Sequence, residues 1–187
     1  EIRYSTENKG PRKVYLTGEA WFDVASDPKR PFIISTNYYD INVKGTKFNV
    51  KAYENDREVI TTLEDGEIIL TSSGYVRFEE DIILKPGEQA VLNKENQELS
   101  LRSVNTRWFT SWKENKLIFM NMNLKDLVVL IERKYGVDIV VKDPDILSYH
   151  CDGTFKNETI IEVLEIIKKT LPIRYEIVGQ QIEITSK

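Results

Sequence analysis

Hydrophobic and polar positions alternate in short runs through the first part of the chain, and turn residues separate these runs. From Lys13 to about Val104 no segment is long enough, or periodic enough at 3.6 residues, to predict a helix. About nine runs at this spacing predict an all-β sandwich, barrel or solenoid-like stack. The predicted strands cover residues 14–16, 21–24, 32–35, 39–43, 48–53, 58–63, 67–71, 88–92 and 98–101.

One turn in this β-rich part carries a specific signal. Asp65-Gly66 separates two apolar runs, and an Asp-Gly pair supplies the positive φ angle that a tight hairpin needs. We therefore expect residues 58–63 and 67–71 to pair with each other as a β-hairpin. Two more connections are predicted at Ser72-Ser73-Gly74 and Pro86-Gly87.

After the aromatic stretch at residues 108–112 the pattern takes on a helical period. Gly136 is a stop signal for the first helical segment, and Thr159 or Asn157 is expected to cap the second. The two helical segments carry apolar residues at Leu124, Leu127, Val128, Leu130 and Ile131, and at Ile160, Ile161, Val163, Leu164, Ile166 and Ile167.

These two helices alternate with strands in the order β-α-β, β-α-β-β. Because each helix is too small to bury its own face, we expect both to pack on one shared sheet. The sequence thus predicts two lobes, an all-β lobe at residues 1–107 and a small α+β lobe of repeated βαβ units at residues 108–187. The strands of the second lobe are predicted at residues 116–119, 137–141, 149–155, 173–177 and 181–184.

Composition narrows the classes of function. The 187 residues are 41% hydrophobic and 30% charged, and the net charge of −4 comes from interspersed signs. Binding to nucleic acid requires clustered Lys and Arg, so we expect no nucleic-acid partner. The longest unbroken apolar run, Leu127 to Ile131, is far below the ~20 residues that span a bilayer. Since the chain begins at Glu1 and not at Met, we expect a preceding segment to hold any targeting or anchoring part.

No group of residues in the sequence predicts catalysis, a metal site or a cofactor. His150, Cys151 and Asp152 are adjacent on a predicted strand, so their side chains are expected to point to alternating faces. A zinc site would need a second cluster of His or Cys, and a reactive thiol would need a third group to orient its base. We therefore predict that the protein is not an enzyme.

Trp21, Trp108 and Trp112 leave a second class of function open. Such rings can stack on sugars, as in a carbohydrate-binding or structural module of a surface glycan-utilisation system, but packing is their more common role. An exposed platform of Trp and Tyr would favour the glycan function. Buried aromatics together with a free sheet edge would favour a regulator.

A family resemblance is carried by short segments that follow one another in a fixed order. Two of the segments lie in the second lobe, Trp112 to Phe119 and Tyr135-Gly136-Val137. Together with the segments named below, they make residues 12–185 resemble the periplasmic region of FecR-like anti-sigma factors of the Bacteroidetes type. The two segments resemble that family's C-terminal module, which is similar to the secretin and TonB short N-terminal fold. The remaining segments are Gly18-Glu19-Ala20-Trp21-Phe22-Asp23-Val24, Asp27 to Phe32, Gly45 to Val50, Leu63 to Ile68 and Leu84 to Ala90.

The resemblance implies a single-pass inner-membrane regulator of which this chain is the periplasmic part. In that family the periplasmic region binds the signalling domain of a TonB-dependent outer-membrane transducer. A cytosolic segment holds an extracytoplasmic-function sigma factor, and one N-terminal helix crosses the membrane. The resemblance therefore implies contact with the sigma factor and with the membrane only through segments that lie outside this sequence, and it implies no cofactor.

The resemblance also draws attention to Gly45-Thr46. Some FecR-like proteins cleave themselves at a Gly-Thr pair in this motif: the Thr hydroxyl takes the preceding acyl group from nitrogen, and water then cleaves the ester. This chemistry requires a strained peptide, which glycine tolerates. The alternative, which we favour here, is a glycine at the entry of a strand followed by a β-branched residue.

Strand edges in the second lobe predict where a partner would bind. A small mixed sheet has edge strands whose unpaired N–H and C=O groups can dock a partner strand. We expect the transducer's domain to bind in part by such edge pairing, although alternate residues of a strand are most often core. The candidate residues are Ile118, Phe119, Met120, Val137, Ile139, Val141, Gln181, Ile182 and Ile184.

Overall fold

Strands predominate in the fold, because most hydrophobic residues of the chain alternate with polar ones. The computed structural model describes residues 1–5 and 10–187. These residues divide into a first unit, residues 1–110, and a second unit, residues 111–187. Each unit has a hydrophobic core of its own.

The described part of the first unit contains eleven strands and ends in the short helix α1, Arg107–Thr110. Two of these strands, at residues 2–4 and 82–84, are not among the nine that the pattern predicts. The strands are β1 (Ile2–Tyr4), β2 (Arg12–Leu16), β3 (Gly18–Val24), β4 (Phe32–Ser35), β5 (Tyr39–Val43), β6 (Thr46–Ala52), β7 (Glu58–Asp65), β8 (Ile68–Ser72), β9 (Ile82–Leu84), β10 (Glu88–Asn93) and β11 (Leu99–Ser103).

Two sheets of the first unit share a single core. One sheet has the strand order β1-β2-β4-β5-β8-β9, and the other has the order β11-β10-β7-β6-β3. Tyr39 and Ile41 from the first sheet and Phe48 and Leu63 from the second are fully buried in the same cluster. The first unit is therefore a β-sandwich, in which each sheet buries the apolar face of the other.

The predicted hairpin between residues 58–63 and 67–71 is wrong. β7 pairs with β6 and β10 in one sheet, whereas β8 pairs with β5 and β9 in the other. Gly66 does adopt the positive φ angle that the Asp-Gly pair predicts, at 94°. The turn carries the chain from one sheet to the other, because both edges of each strand are already occupied by strands more distant in sequence.

The second unit begins with a 3₁₀ turn, Ser111–Glu114, and contains both long helices. Both lie where the periodicity predicts them. A second 3₁₀ turn, Pro144–Ser148, begins at Pro144, whose fixed φ angle suits the first position of a helical turn. The elements are β12 (Lys116–Asn123), α2 (Leu124–Tyr135), β13 (Asp138–Val141), β14 (His150–Lys156), α3 (Ile160–Thr170), β15 (Ile173–Val178) and β16 (Gln181–Ser186).

Two sheets, rather than the one shared sheet that the pattern predicts, form the second unit. β12 pairs with β14, and the other sheet has the order β13-β16-β15. Leu127 of α2 and Leu164 of α3 are fully buried in a cluster that also contains Phe155 of β14 and Ile184 of β16. Both helices therefore pack in one core that both sheets enclose.

Local capping determines where the helices begin and end. Gly136 ends α2 with a φ angle of 64°, as predicted, and its N–H donates to the carbonyl of Glu132. Thr159 begins α3 with a capping box, in which its hydroxyl accepts from the Glu162 N–H and the Glu162 carboxylate accepts from the Thr159 N–H. The prediction of a cap at this position is confirmed for Thr159.

Candidate functional site

The strand at Gln181 to Ile184 does not provide an edge. It belongs to β16, which pairs in parallel with β13 on one side and antiparallel with β15 on the other. The expectation that this strand offers an edge to a partner is therefore wrong. Sequence order did not reveal this, because the last strand of the chain inserts between two earlier ones.

β13 is an edge strand, but its outward side is partly covered by the chain itself. The ladder to β16 uses every second residue of β13, which leaves the N–H of Ile139 pointing outward. That N–H donates to the Glu132 Oε1 atom of α2 at 2.8 Å. Val137 and Val141, on either side, are half-buried. A partner strand at this edge would have to displace the Glu132 side chain.

β12 presents one apolar side chain prominently. Its register with β14 shifts between Phe119 and Met122, and within this bulge Met120 is 56% exposed. The bulge is held in place by Asn121, whose backbone N–H donates to the Asp152 Oδ1 atom at 2.6 Å. The irregular pairing turns Met120 outward while its neighbour Phe119 stays buried.

Phe119 belongs to the core and not to a binding surface. It is 3% exposed, and its ring lies 5.3 Å from the ring of Phe155. On the opposite strand, a Cβ atom at Gly153 would lie 2.5 Å from the Phe119 ring, so the glycine makes room for the aromatic side chain.

The predicted partner-binding residues therefore fall into three classes of exposure. Phe119, Ile139, Ile182 and Ile184 are buried in the core of the second unit. The side chain of Met120 is exposed. The half-buried residues are Ile118, Val137, Val141 and Gln181.

Sequence reasoning predicted a strand at residues 173–177 but did not identify it as the other edge of the three-stranded sheet, which is β15. Ile177 and Val178 near its end are 55% and 53% exposed. The available signal was an apolar pair directly before the turn at Gly179, which has a φ angle of 65°.

Gly45-Thr46 lies at the entry of β6 in a tightly packed environment. Thr46 is 3% exposed, and its hydroxyl donates to the carbonyl of Glu67 at 3.0 Å. Gly66 approaches so closely that an added Cβ atom would lie 2.6 Å from the Gly45 carbonyl oxygen. A cavity of about 110 Å³ adjoins the pair and is lined by Pro31, Asn42, Val43, Lys44, Gly45, Thr46, Glu67 and Ile69.

His150, Cys151 and Asp152 diverge, as their adjacency on a strand predicts. His150 and Asp152 are exposed, whereas Cys151 lies in the core. Burial, and to a smaller extent the charge of Asp152, raise the pKa of the Cys151 thiol above its usual range, so the thiol is protonated at neutral pH. Within residues 1–5 and 10–187 no three His, Cys, Asp or Glu side chains come close enough together to hold a metal ion.

The tryptophans differ from one another in exposure. The Trp21 indole N–H donates to the Glu64 Oε2 atom at 3.0 Å. Trp108 and Trp112 are 45% and 37% exposed, so the expectation that a regulator would bury them is wrong for these two. Among the described ring contacts, one pair includes a strongly exposed ring: Tyr75, 73% exposed, lies 6.2 Å from Tyr38.

None of the helices in the described ranges has both the length and the apolar character needed to cross a bilayer.

Comparison with known proteins agrees with the two units. The model of the FecR protein family matches residues 2–68, and the model of the FecR C-terminal region matches residues 116–184. Two crystal structures of a proposed anti-sigma factor from Parabacteroides distasonis ATCC 8503 are similar to the whole chain, with 29% identity and TM-scores of 0.85, and the match covers 86% and 85% of their chains. A search of curated proteins found no match. Together these matches show that the chain belongs to the FecR family of anti-sigma factors.

Proposed function

We propose that this chain is the periplasmic signal-receiving region of a membrane-anchored anti-sigma factor. In this proposal it binds the signalling domain of a TonB-dependent outer-membrane transducer and relays nutrient availability to an extracytoplasmic-function sigma factor. Membership of the FecR family supports an anti-sigma role. The observation that carries the rest is a second unit with its own core, which matches the FecR C-terminal model and leaves strand edges and apolar side chains exposed.

We place the transducer contact at the bulge of β12. Met120 projects from it with more than half of its surface exposed, beside the half-buried Ile118. A methionine side chain is unbranched and polarisable, so it adapts to the shape of a partner surface. Burying such a side chain at an interface contributes about 1.5–3 kcal/mol, enough to change affinity by more than tenfold.

Calorimetric titration of the whole chain with a transducer's signalling domain tests this contact. Met120→Asp is expected to weaken binding at least tenfold, because it places a charge where an apolar side chain would be buried. Ile83→Asp is the matched control, since Ile83 is 52% exposed on β9 of the first unit. A saturable interaction that neither variant changes would remove Met120 from the interface, and no binding by the unmodified chain would overturn the proposed partner.

For Gly45-Thr46 we propose a structural role. The Thr46 hydroxyl is used as a donor to the Glu67 carbonyl, which ties the start of β6 to the turn at Gly66. Self-cleavage is the competing role, and the mass of the purified chain distinguishes the two. An intact mass supports the structural role. Fragments ending at Gly45 and beginning at Thr46, lost in Thr46→Val, would establish cleavage.

A further inference from the structure

The outward edge of β15 is open along Tyr175 and Ile177, whereas at its start the outward N–H of Ile173 donates to the carbonyl of Leu171 at 2.8 Å. The Lys187 N–H donates to the Pro172 carbonyl, so the antiparallel ladder to β16 uses the backbone groups of residues 172, 174, 176 and 178. The N–H and C=O groups of Tyr175 and Ile177 therefore point away from the sheet. No strand pairs with them in the described part of the chain.

This edge differs from that of β13 on the other side of the same sheet. At β13 the outward N–H of Ile139 is occupied by the Glu132 carboxylate. At β15 no side chain from the described residues bonds to an outward N–H. Natural proteins blunt an exposed edge with a bulge, a proline, a covering segment or charged side chains; residues 173–178 contain no proline and no bulge, and their charges are one Arg and one Glu of opposite sign.

Two opposite charges flank the centre of the open edge. Arg174 and Glu176 are both exposed and lie on the face of the sheet that points away from the core, two residues apart. Neither side chain has a hydrogen bond or an ion pair within residues 1–5 and 10–187. Directly across from Glu176 on β16 stands another carboxylate, Glu183, whose charge is already paired with Lys142 at 2.8 Å.

We propose that β15 pairs antiparallel with β15 of a second copy of this chain, about a two-fold axis at Tyr175. In that register Tyr175 faces its own copy in a hydrogen-bonded pair, and Ile177 faces the copy's Ile173. Arg174 then lies opposite the copy's Glu176, and symmetry repeats the pair. Moving the axis by one residue to Glu176 would keep the same backbone groups in the ladder but would place two like charges, Glu176 and its copy, opposite each other.

The length of the edge sets the strength of the contact. Pairing five residues of β15, 173–177, on each chain buries much less surface than the roughly 1,200–2,000 Å² of a stable interface, so the dimer is weak, with a Kd on the order of 0.1–1 mM. An encounter of this strength matters when the two copies are held close together, because effective concentration then exceeds the Kd.

Sedimentation velocity of the whole chain from about 10 µM to about 1 mM tests the proposal. The unmodified chain is expected to show a reversible monomer–dimer equilibrium. Arg174→Glu and Glu176→Arg should each weaken it about tenfold or more, because each turns both cross-strand charge pairs into repulsions. The double variant R174E/E176R restores complementary pairs and is expected to recover the unmodified Kd.

A second variant probes the backbone rather than the charges. Ile177→Pro removes an outward N–H while the bonds of Glu176 and Val178 to β16 remain, so the monomer keeps its sheet and the dimer is lost. Arg57→Glu, an exposed change on the first unit, is the control and should leave the Kd unchanged. A chain that stays monomeric at the highest concentration overturns the proposal, and so does a dimer that neither single charge reversal weakens.

Discussion

The two units differ in how large a core their sheets enclose. In the first unit two large sheets enclose one core, and the closely packed Gly45-Thr46 pair is held inside by a glycine turn. In the second unit a three-stranded and a two-stranded sheet enclose a smaller core and leave strand edges facing outward. Both units leave edge strands at the margins of their sheets, so the difference between them is the size of the core that each encloses.

The largest expected effect concerns the core of the first unit. Phe48 is fully buried and stacks on Phe22 with the ring centroids 5.1 Å apart. Phe48→Ala leaves a cavity and should lower the free energy of unfolding by about 3–5 kcal/mol. Amide hydrogen exchange measures the protection of each strand separately. In Phe48→Ala the amides of β6 and β7 should lose protection, while those of β16 should keep it. Loss of protection in β16 as well would show that the units unfold together.

Tyr75→Ala is the control for that comparison. Tyr75 is 73% exposed, so its removal should change stability by about 0.5 kcal/mol or less. A cost for Tyr75→Ala that approaches the cost for Phe48→Ala would contradict the assignment of the core.

A second test uses the glycine turn of the first unit against a glycine turn of the second. Gly66→Ala combines a φ angle of 94° with a Cβ atom 2.6 Å from the Gly45 carbonyl oxygen, and should cost about 2–4 kcal/mol. Gly179→Ala also forces a positive φ, but nothing lies within 4 Å of its Cβ position, so about 1–2 kcal/mol is expected. Urea unfolding measures both, and equal costs would show that the approach of Gly66 to Gly45 is not tight.

The edge of β13 provides the third test. Glu132→Ala leaves the Ile139 N–H without its acceptor and should cost about 1 kcal/mol. The exchange rate of the Ile139 amide is expected to rise. Lys125→Ala, an exposed change on the same helix, should leave that rate unaltered. An unchanged rate in Glu132→Ala would mean that the carboxylate does not protect this edge.

The smallest expected effect concerns the start of α3. Thr159→Ala removes the cap and should lower stability by about 1 kcal/mol at neutral pH. Hydrogen bonds from the Thr159 N–H and hydroxyl hold the pKa of Glu162 below its usual range. Stabilisation from a lowered carboxyl pKa is complete above the ordinary pKa of Glu and is lost as the pH falls through the folded-state value. Thr159→Ala keeps the backbone N–H bond to Glu162 and removes only the hydroxyl bond, so the difference between the variant and the unmodified chain should shrink in acid by the share of the hydroxyl. Thermal unfolding across that pH range measures it.

Predictions that depend on neighbours in sequence agree best with the structure. α2 and α3 lie where apolar residues recur at helical spacing, and Gly136 and Thr159 mark the ends that capping rules assign to them. The alternating faces of residues 150–152 follow in the same way from strand geometry. Each of these features depends on contacts within about one turn of helix or a few residues of strand.

Predictions that depend on which strands meet agree least. β7 and β8 flank a correctly predicted turn, yet they lie in different sheets. The strand at Gln181 to Ile184 comes last in the chain, yet it lies in the middle of its sheet. The candidate binding residues were chosen from strands whose neighbours were predicted wrongly. Several of them therefore lie in the core, and the open edge at β15 was not predicted.

The sequence by itself determined the types of element and their order along the chain, the helix ends and the membership of the FecR family. Each of these depends on local periodicity, capping or short motifs, and all of those involve residues that are close together in sequence. Only the tertiary structure decided which strands share a sheet, which edges stay open and how closely Gly66 approaches Gly45. Those outcomes depend on which surfaces, distant in sequence, bury each other with the least loss of hydrogen bonds, and this competition is settled only when the whole core assembles.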